Sequence, residues 1–145
     1  VRQETRRIVL PVSAAVAFDF VADYSNDPEW RSEILSATLV SGVRGEAGAR
    51  YMGDIEWYGV QVSHELEVVE CRRPTHIHVR SQSPSLQIDV RYDLEDQHDR
   101  CLLSAEYTLE MEGALALVEP FGWALLTGWV NEDLPRLPKT LAAVL

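Results

Sequence analysis

One histidine, His64, falls within an alternating run (Val60 to Cys71), on the side that also carries Val62, Leu66 and Val68. An imidazole on an apolar strand face can be poised near neutral pH, where it takes an α-proton or hydroxyl proton from a carbonyl compound. The same residue also reads as a core histidine satisfied by one tyrosine. Three tyrosines, Tyr51, Tyr92 and Tyr107, lie on the matching faces of neighbouring runs. Their hydroxyls can bind a ligand carbonyl or steady an enolate, or simply reach a backbone carbonyl inside an ordinary sheet core. With the indole N–H of Trp57, these groups imply either an internal hydrogen-bond network or a partly hydrated pocket. The run Arg50 to Tyr58 leaves one alternative open. Its likelier inner set is Tyr51, Gly53, Ile55 and Trp57, but a one-residue bulge turns Met52, Asp54, Glu56 and Tyr58 inward instead. Asp54 and Glu56 would then be buried carboxyls of raised pKa and the centre of the chemistry.

Other chemistries find no support. The chain has no GxSxG, Walker loop, HExxH, or GxGxxG after a strand. Cys71 and Cys101 stand apart without zinc-type spacing, which predicts free thiols in a reducing compartment. Arg72 and Arg73 are placed to lower the Cys71 pKa, although an idle thiol is the simpler reading. His76, His78 and His98 fall on the wet face or in a turn and read as surface groups. His76-x-His78 lacks a third ligand, so no metal is expected.

The elements that must hold these residues are legible from periodicity. Arg6 to Leu10 reads as a strand closed by Pro11. Ser13 can cap a helix whose apolar side is Val16, Phe18, Phe20 and Val21. Asn26-Asp27-Pro28 breaks that helix, and a second short one can start at Pro28. From residue 35 the period falls from about 3.6 to 2. Leu35 to Ser41, Arg50 to Tyr58, Val60 to Cys71, Thr75 to Gln82, Leu86 to Glu95 and Cys101 to Glu112 are the predicted strands. Their separators, GVRGEAG, Gly59, RRP, SPS and DQHD, are turn chemistry, and short connections favour an antiparallel meander. From Ala114 to Val144 the chain turns helical, with kinks or breaks expected at Pro120, Pro135 and Pro138. Phe121, Trp123, Leu125, Trp129 and Asn131 are the tail residues that can face the sheet. The order predicts an α+β protein with helices on one face of an antiparallel sheet.

At 145 residues, 46 % hydrophobic and 25 % charged, the chain fits one globular domain, residues 1–145. The net charge of −10 disfavours phosphate backbones and anionic membranes, so no nucleic-acid partner is expected. No apolar run is read as approaching the ~20 residues of a membrane span. VRQETRR precedes too short an apolar run for a signal peptide, so a cytoplasmic location is the expectation. The chain opens on Val1 rather than Met, so residues ahead of it are expected.

The stretch IVLPVSAAVAFDFVADYSNDPEW resembles the opening of the START-like superfamily, in particular its polyketide cyclase/dehydrase branch. There a strand, a proline, a helix, a polar turn and a tryptophan follow in this order. VRGEAGARY, VVECRRPTHIHVR and YTLEMEG are similar to later pieces of the same pattern. The resemblance implies a helix-grip: a curved antiparallel sheet around a long C-terminal helix, with an internal cavity. It also implies that Trp30 packs near one end of that cavity. The proline-broken tail departs from the family's smoother helix. Members cyclise polyketides or bind lipids, sterols and quinones, so no family-wide catalytic signature transfers. The reading that results is a cofactor-independent polyketide cyclase or dehydratase-like enzyme. In it His64, Tyr51, Tyr92 and Tyr107 handle protons, and Trp57, Ile55, Leu66, Ile88, Val90, Phe121, Leu125 and Trp129 contact a hydrophobic ligand. The rivals are a non-catalytic carrier or sensor of a lipid or quinone, and an interaction domain with a filled core. Self-association as a homodimer stays open.

Overall fold

The computed structural model describes residues 1–57, 59–83 and 85–144, with only the backbone of Trp57. Tyr58 and Pro84, of the expected bulge set and SPS turn, lie outside the described residues. The first strand, β1 (Arg2–Leu10), leads through Ser13 into α1 (Ala14–Val21). The Ser13 side chain accepts from the Val16 N–H and caps the helix. A 3₁₀ turn (Tyr24–Glu29) follows, capped by the Asp23 carboxylate. The cap starts this turn four residues ahead of the expected Pro28, which is carried inside it. Then come β2 (Ile34–Ser41), β3 (Arg50–Trp57), β4 (Val60–Arg72), β5 (His76–Ser83), β6 (Leu86–Gln97) and β7 (Arg100–Met111). The chain ends in a 3₁₀ turn (Gly113–Val118), α2 (Glu119–Asp133) and α3 (Arg136–Val144). Pro120 opens α2 and Pro135 lies in the α2–α3 break, while Pro138 sits in the first turn of α3.

All pairings are antiparallel, in one seven-stranded sheet ordered β1-β7-β6-β5-β4-β3-β2. This is the helix-grip arrangement, with the helices on one face. The inner face buries Leu66 and Val68 of β4, Val90, Tyr92 and Leu94 of β6, and Leu103, Ala105, Tyr107 and Leu109 of β7. Each of them shares its strand's period-2 face with Leu66, Tyr92 or Tyr107. On α1 the buried side is Ala14, Ala17, Phe18 and Val21, whereas Val16 is exposed.

One expectation, for His78, is corrected, and two alternatives left open, for Asp54 and Cys71, are closed. The β3–β4 register runs unbroken from Arg50↔Glu67 to Trp57↔Val60, so no bulge turns Asp54 inward. The irregularities lie in the β2–β3 and β4–β5 pairings instead. Asp54 accepts from Ser63 and Gln61 on the outer face, which hold its carboxyl below the usual range. His78 is no surface group. It is 6 % exposed, with Nε2 at 2.6 Å from Asp89, itself packed under Arg80 and Gln87. Cys71 has its pKa raised, by burial first and then by Glu46, rather than lowered by its arginines.

The tail also differs from the expectation about membranes. Gly113–Asp133, 21 residues at mean hydropathy 1.3, is long and apolar enough to cross a bilayer by length and composition alone. Here it is a 3₁₀ turn joined to α2, and Leu126, Val130 and Asp133 of α2 are buried. Gly122 allows the close approach to β7: a Cβ there would stand 2.4 Å from the end of Met111.

Candidate functional site

Between the sheet and α2 lies a cavity of about 580 Å³. Ile55 of β3, Leu66 of β4, Ile88 and Val90 of β6, and Leu126 and Trp129 of α2 wall it with aliphatic and aromatic surface. Among the predicted residues, His64, Tyr92 and Tyr107 line it as well. Three others do not. Tyr51 is fully buried outside the lining, where its hydroxyl donates to Asp23 at 3.1 Å and accepts from the Gly45 N–H at 3.4 Å. It ties the glycine loop to the end of α1. Phe121 is 75 % exposed, and Leu125 is half-buried beyond the wall. The face of α2 turned to the sheet runs through Gly122, Leu126, Val130 and Asp133, which rotates both residues away. The Trp57 side chain lies outside the described residues.

One end of the cavity is polar. His64 enters it from β4, with Nε2 2.9 Å from the Tyr24 hydroxyl. Burial, then the Arg31 charge, lower the His64 pKa, so the ring is neutral at neutral pH. Burial raises that of Tyr24, which keeps its proton and can donate it to Nε2 when the ring carries its own proton on Nδ1. Nδ1 is buried and finds no hydrogen-bond partner among the described residues. Tyr92 and Tyr107 are likewise raised by burial, Tyr107 to about 12.

Arg31 is the hub. Its guanidinium donates to Glu33 Oε1 from Nε (3.1 Å) and Nη2 (2.9 Å), and to Asp27 Oδ2 from Nη1 (3.2 Å). Burial opposes its charge, but Tyr24, Glu33 and Asp27 raise its pKa further. Asp27 is 3 % exposed, and burial pushes its carboxyl up to about 7. Burial also pushes Glu33 up, but Arg31, Asp133 and the Glu33 backbone N–H together outweigh it and the carboxyl ends below its usual range. Asp133, from the end of α2, is raised to about 7 by burial and by Glu33 beside it. Trp30 is 3 % exposed on the cavity wall, with the Arg31 guanidinium 6.0 Å from its ring centre.

Tyr24, Arg31, Glu33 and Asp133 are cavity-lining residues that periodicity did not select. A signal existed in Asp27-x-x-x-Arg31-x-Glu33 around a tryptophan, and in the Glu132-Asp133 pair that follows the apolar stripe of α2. Among the described residues, no group of three or more His, Cys, Asp or Glu side chains is arranged to hold a metal ion.

Comparison with known proteins agrees with this geometry. A START superfamily protein from Mycobacterium smegmatis superposes with a TM-score of 0.76 at 16 % identity, covering 99 % of both chains. A Thermus thermophilus protein gives 0.76 at 13 % identity, again over 99 % of both. The Zhui aromatase/cyclase from Streptomyces sp. R1128 gives 0.70 at 10 % identity, covering 97 % of this chain and 90 % of its own. At such identities the likeness is one of fold. No curated protein sequence matches. The model for "Polyketide cyclase / dehydrase and lipid transport" matches residues 3–145, and the chain belongs to that family.

Proposed function

We propose that this protein encloses a mostly apolar, oxygen-bearing small molecule and acts on it as a polyketide cyclase or dehydratase-like enzyme, using its own side chains alone. The observation that carries the reading is a 580 Å³ apolar-walled cavity whose one polar end joins a neutral histidine, a tyrosine and an arginine. The ligand's apolar body lies along Ile88, Val90 and Trp129, and a carbonyl reaches the polar end. The Tyr24 oxygen takes a proton α to that carbonyl as its own proton passes to His64 Nε2. The imidazolium so formed on His64 then stabilises the enolate oxygen. The enolate carbon attacks a second carbonyl of the folded chain, whose alkoxide takes the proton back from His64 Nε2, or the enolate expels a β-hydroxyl that leaves as water with that proton, with no change in oxidation state. Holding a flexible chain in one reactive shape supplies the rest of the rate.

The family and the cyclase fold neighbours support this reading, and the same apolar walls also suit a carrier that returns its ligand unchanged. The test is turnover of a long-chain β-hydroxy ketone, followed by NMR in D₂O for α-deuteration and loss of water. The wild type should accelerate both, and a folded His64→Phe variant should not. Retention of the ketone without exchange would favour the carrier.

A further inference from the structure

Glu33 and Asp133 meet across the cavity's polar end from the entry of β2 and the end of α2, at 5 % and 2 % exposure. Each carboxyl has one oxygen crowded with donors and one with none. Glu33 Oε1 takes both Arg31 bonds. Asp133 Oδ1 takes the Ser32 N–H at 3.2 Å and the Ser32 hydroxyl at 3.0 Å, with Arg136 Nη1 at 3.9 Å. Glu33 Oε2 and Asp133 Oδ2 accept from no donor among the described residues. Ser32, the chain neighbour of Glu33, holds Asp133 through its N–H and hydroxyl, which sets the two carboxyls beside each other, so that each acts on the other's proton. Two bare carboxylate oxygens face to face repel. One proton between them turns the same contact into a charge-assisted hydrogen bond.

We propose that Glu33 and Asp133 share a single proton, and that this pair makes the polar end a receptor for a neutral ligand oxygen, a ketone or an alcohol, in preference to a carboxylate. The ligand preference rests on the cavity reading above; the shared proton does not. With one proton the pair carries a single negative charge, which Arg31 offsets. Asp27 beneath Arg31 is neutral below about pH 7. The other groups facing the pair are Tyr24 from the 3₁₀ turn, which keeps its proton, His64 from β4, Tyr107 from β7 and Arg136 from α3. His64 is neutral, Tyr107 keeps its proton, and Arg136 is already drawn to Asp133 and Glu132. Arg31 is engaged on both sides, so a ligand carboxylate would enter an acidic end with no free cation.

Two measurements on the full chain test this. In protein labelled with ¹³C at Asp and Glu carboxyls, NMR titration should show one step of the pair near pH 7 and the other well below it. In Asp133→Asn the pair's step near 7 should vanish and only that of Asp27 should remain there, and Glu33→Gln serves if that variant fails to fold. Both carboxyls titrating together near pH 4 would overturn the shared proton. Quenching of tryptophan fluorescence then compares 2-dodecanone, 1-dodecanol and dodecanoate. At pH 6 the ketone and alcohol should bind at least about tenfold more tightly than the acid. Their affinity should fall as the pH passes 7, and in Asp133→Asn, with a permanent N–H donor, it should not. Equal affinity for dodecanoate, or a flat pH profile, would overturn the preference. Absence of binding by all three would sink the cavity reading and the preference with it, while the titration still decides the proton.

Discussion

Asp27 offers the sharpest physical test of the buried cluster, because its charge state must be written into stability. Its carboxyl is 3 % exposed and titrates at about 7, against an ordinary value of 3.8. The folded protein therefore holds this proton more tightly than the unfolded chain does. The contribution to stability is full below pH 3.8, shrinks as the pH rises, and is gone above about 7. At 1.36 kcal/mol per pH unit, the loss between pH 5 and pH 7 is about 2.7 kcal/mol. Asparagine at 27 keeps the shape and carries no titrating proton. Urea unfolding of wild type and Asp27→Asn at pH 5, 6, 7 and 8 gives the difference curve directly. The wild type should lose about 2.7 kcal/mol relative to the variant across that range. That corresponds to roughly 1–3 M in the urea midpoint. The window lies above pH 4 because Asp19, Asp54, Asp89 and Glu33 are held below their usual ranges. Their contributions have the opposite sign and are lost only as the pH falls further. His64 is also lowered, so it adds stability as the pH rises towards 6.5, and it cancels in the difference. Parallel curves for the two proteins would refute the reasoning, since Asp27 would then be hydrated and Arg31 would not sit in a dry cluster.

Four further outcomes are expected. His64→Phe should keep the melting transition but lower enolisation by about 10²–10⁴-fold, while the wild-type rate rises with pH through a midpoint below 6.5. Ile88→Trp should narrow the cavity beside Val90, weakening ketone binding in a calorimetric titration with little change in urea midpoint. Leu141→Ala, at a fully buried site in α3, should cost about 2–5 kcal/mol in urea unfolding and loosen α3 in hydrogen exchange. Gly53→Ala would place a Cβ 2.2 Å from the Ser36 carbonyl oxygen. It should destabilise by about 1–3 kcal/mol and shift the ring resonances of His64, its cross-strand partner.

What the sequence shows of this fold and what it hides follow from the same physics. The strand faces were legible because one side of the sheet is covered and the other is not, so a period of 2 maps directly onto burial. Leu103, Ala105, Tyr107 and Leu109 carry that pattern without exception. His78 and Asp89 broke it, because they bury each other beneath Arg80 and Gln87 on the outer face, which no periodicity encodes. The polar end of the cavity was hidden for another reason. It is assembled from the turn before β2, the middle of β4 and the end of α2, and its contacts include Ser32 to Asp133, 101 residues apart. Read locally, Asp27-Pro28-Glu29-Trp30-Arg31-Ser32-Glu33 looks like a wet loop. Trp30 is the residue that argues otherwise. An indole placed there must be covered, and the cover that leaves it 3 % exposed also encloses Asp27 and Glu33, at 3 % and 5 %. Charges enclosed together must pair or share protons. The tryptophan therefore predicts the dry cluster around it, and the cluster is what gives the cavity an end that can do chemistry.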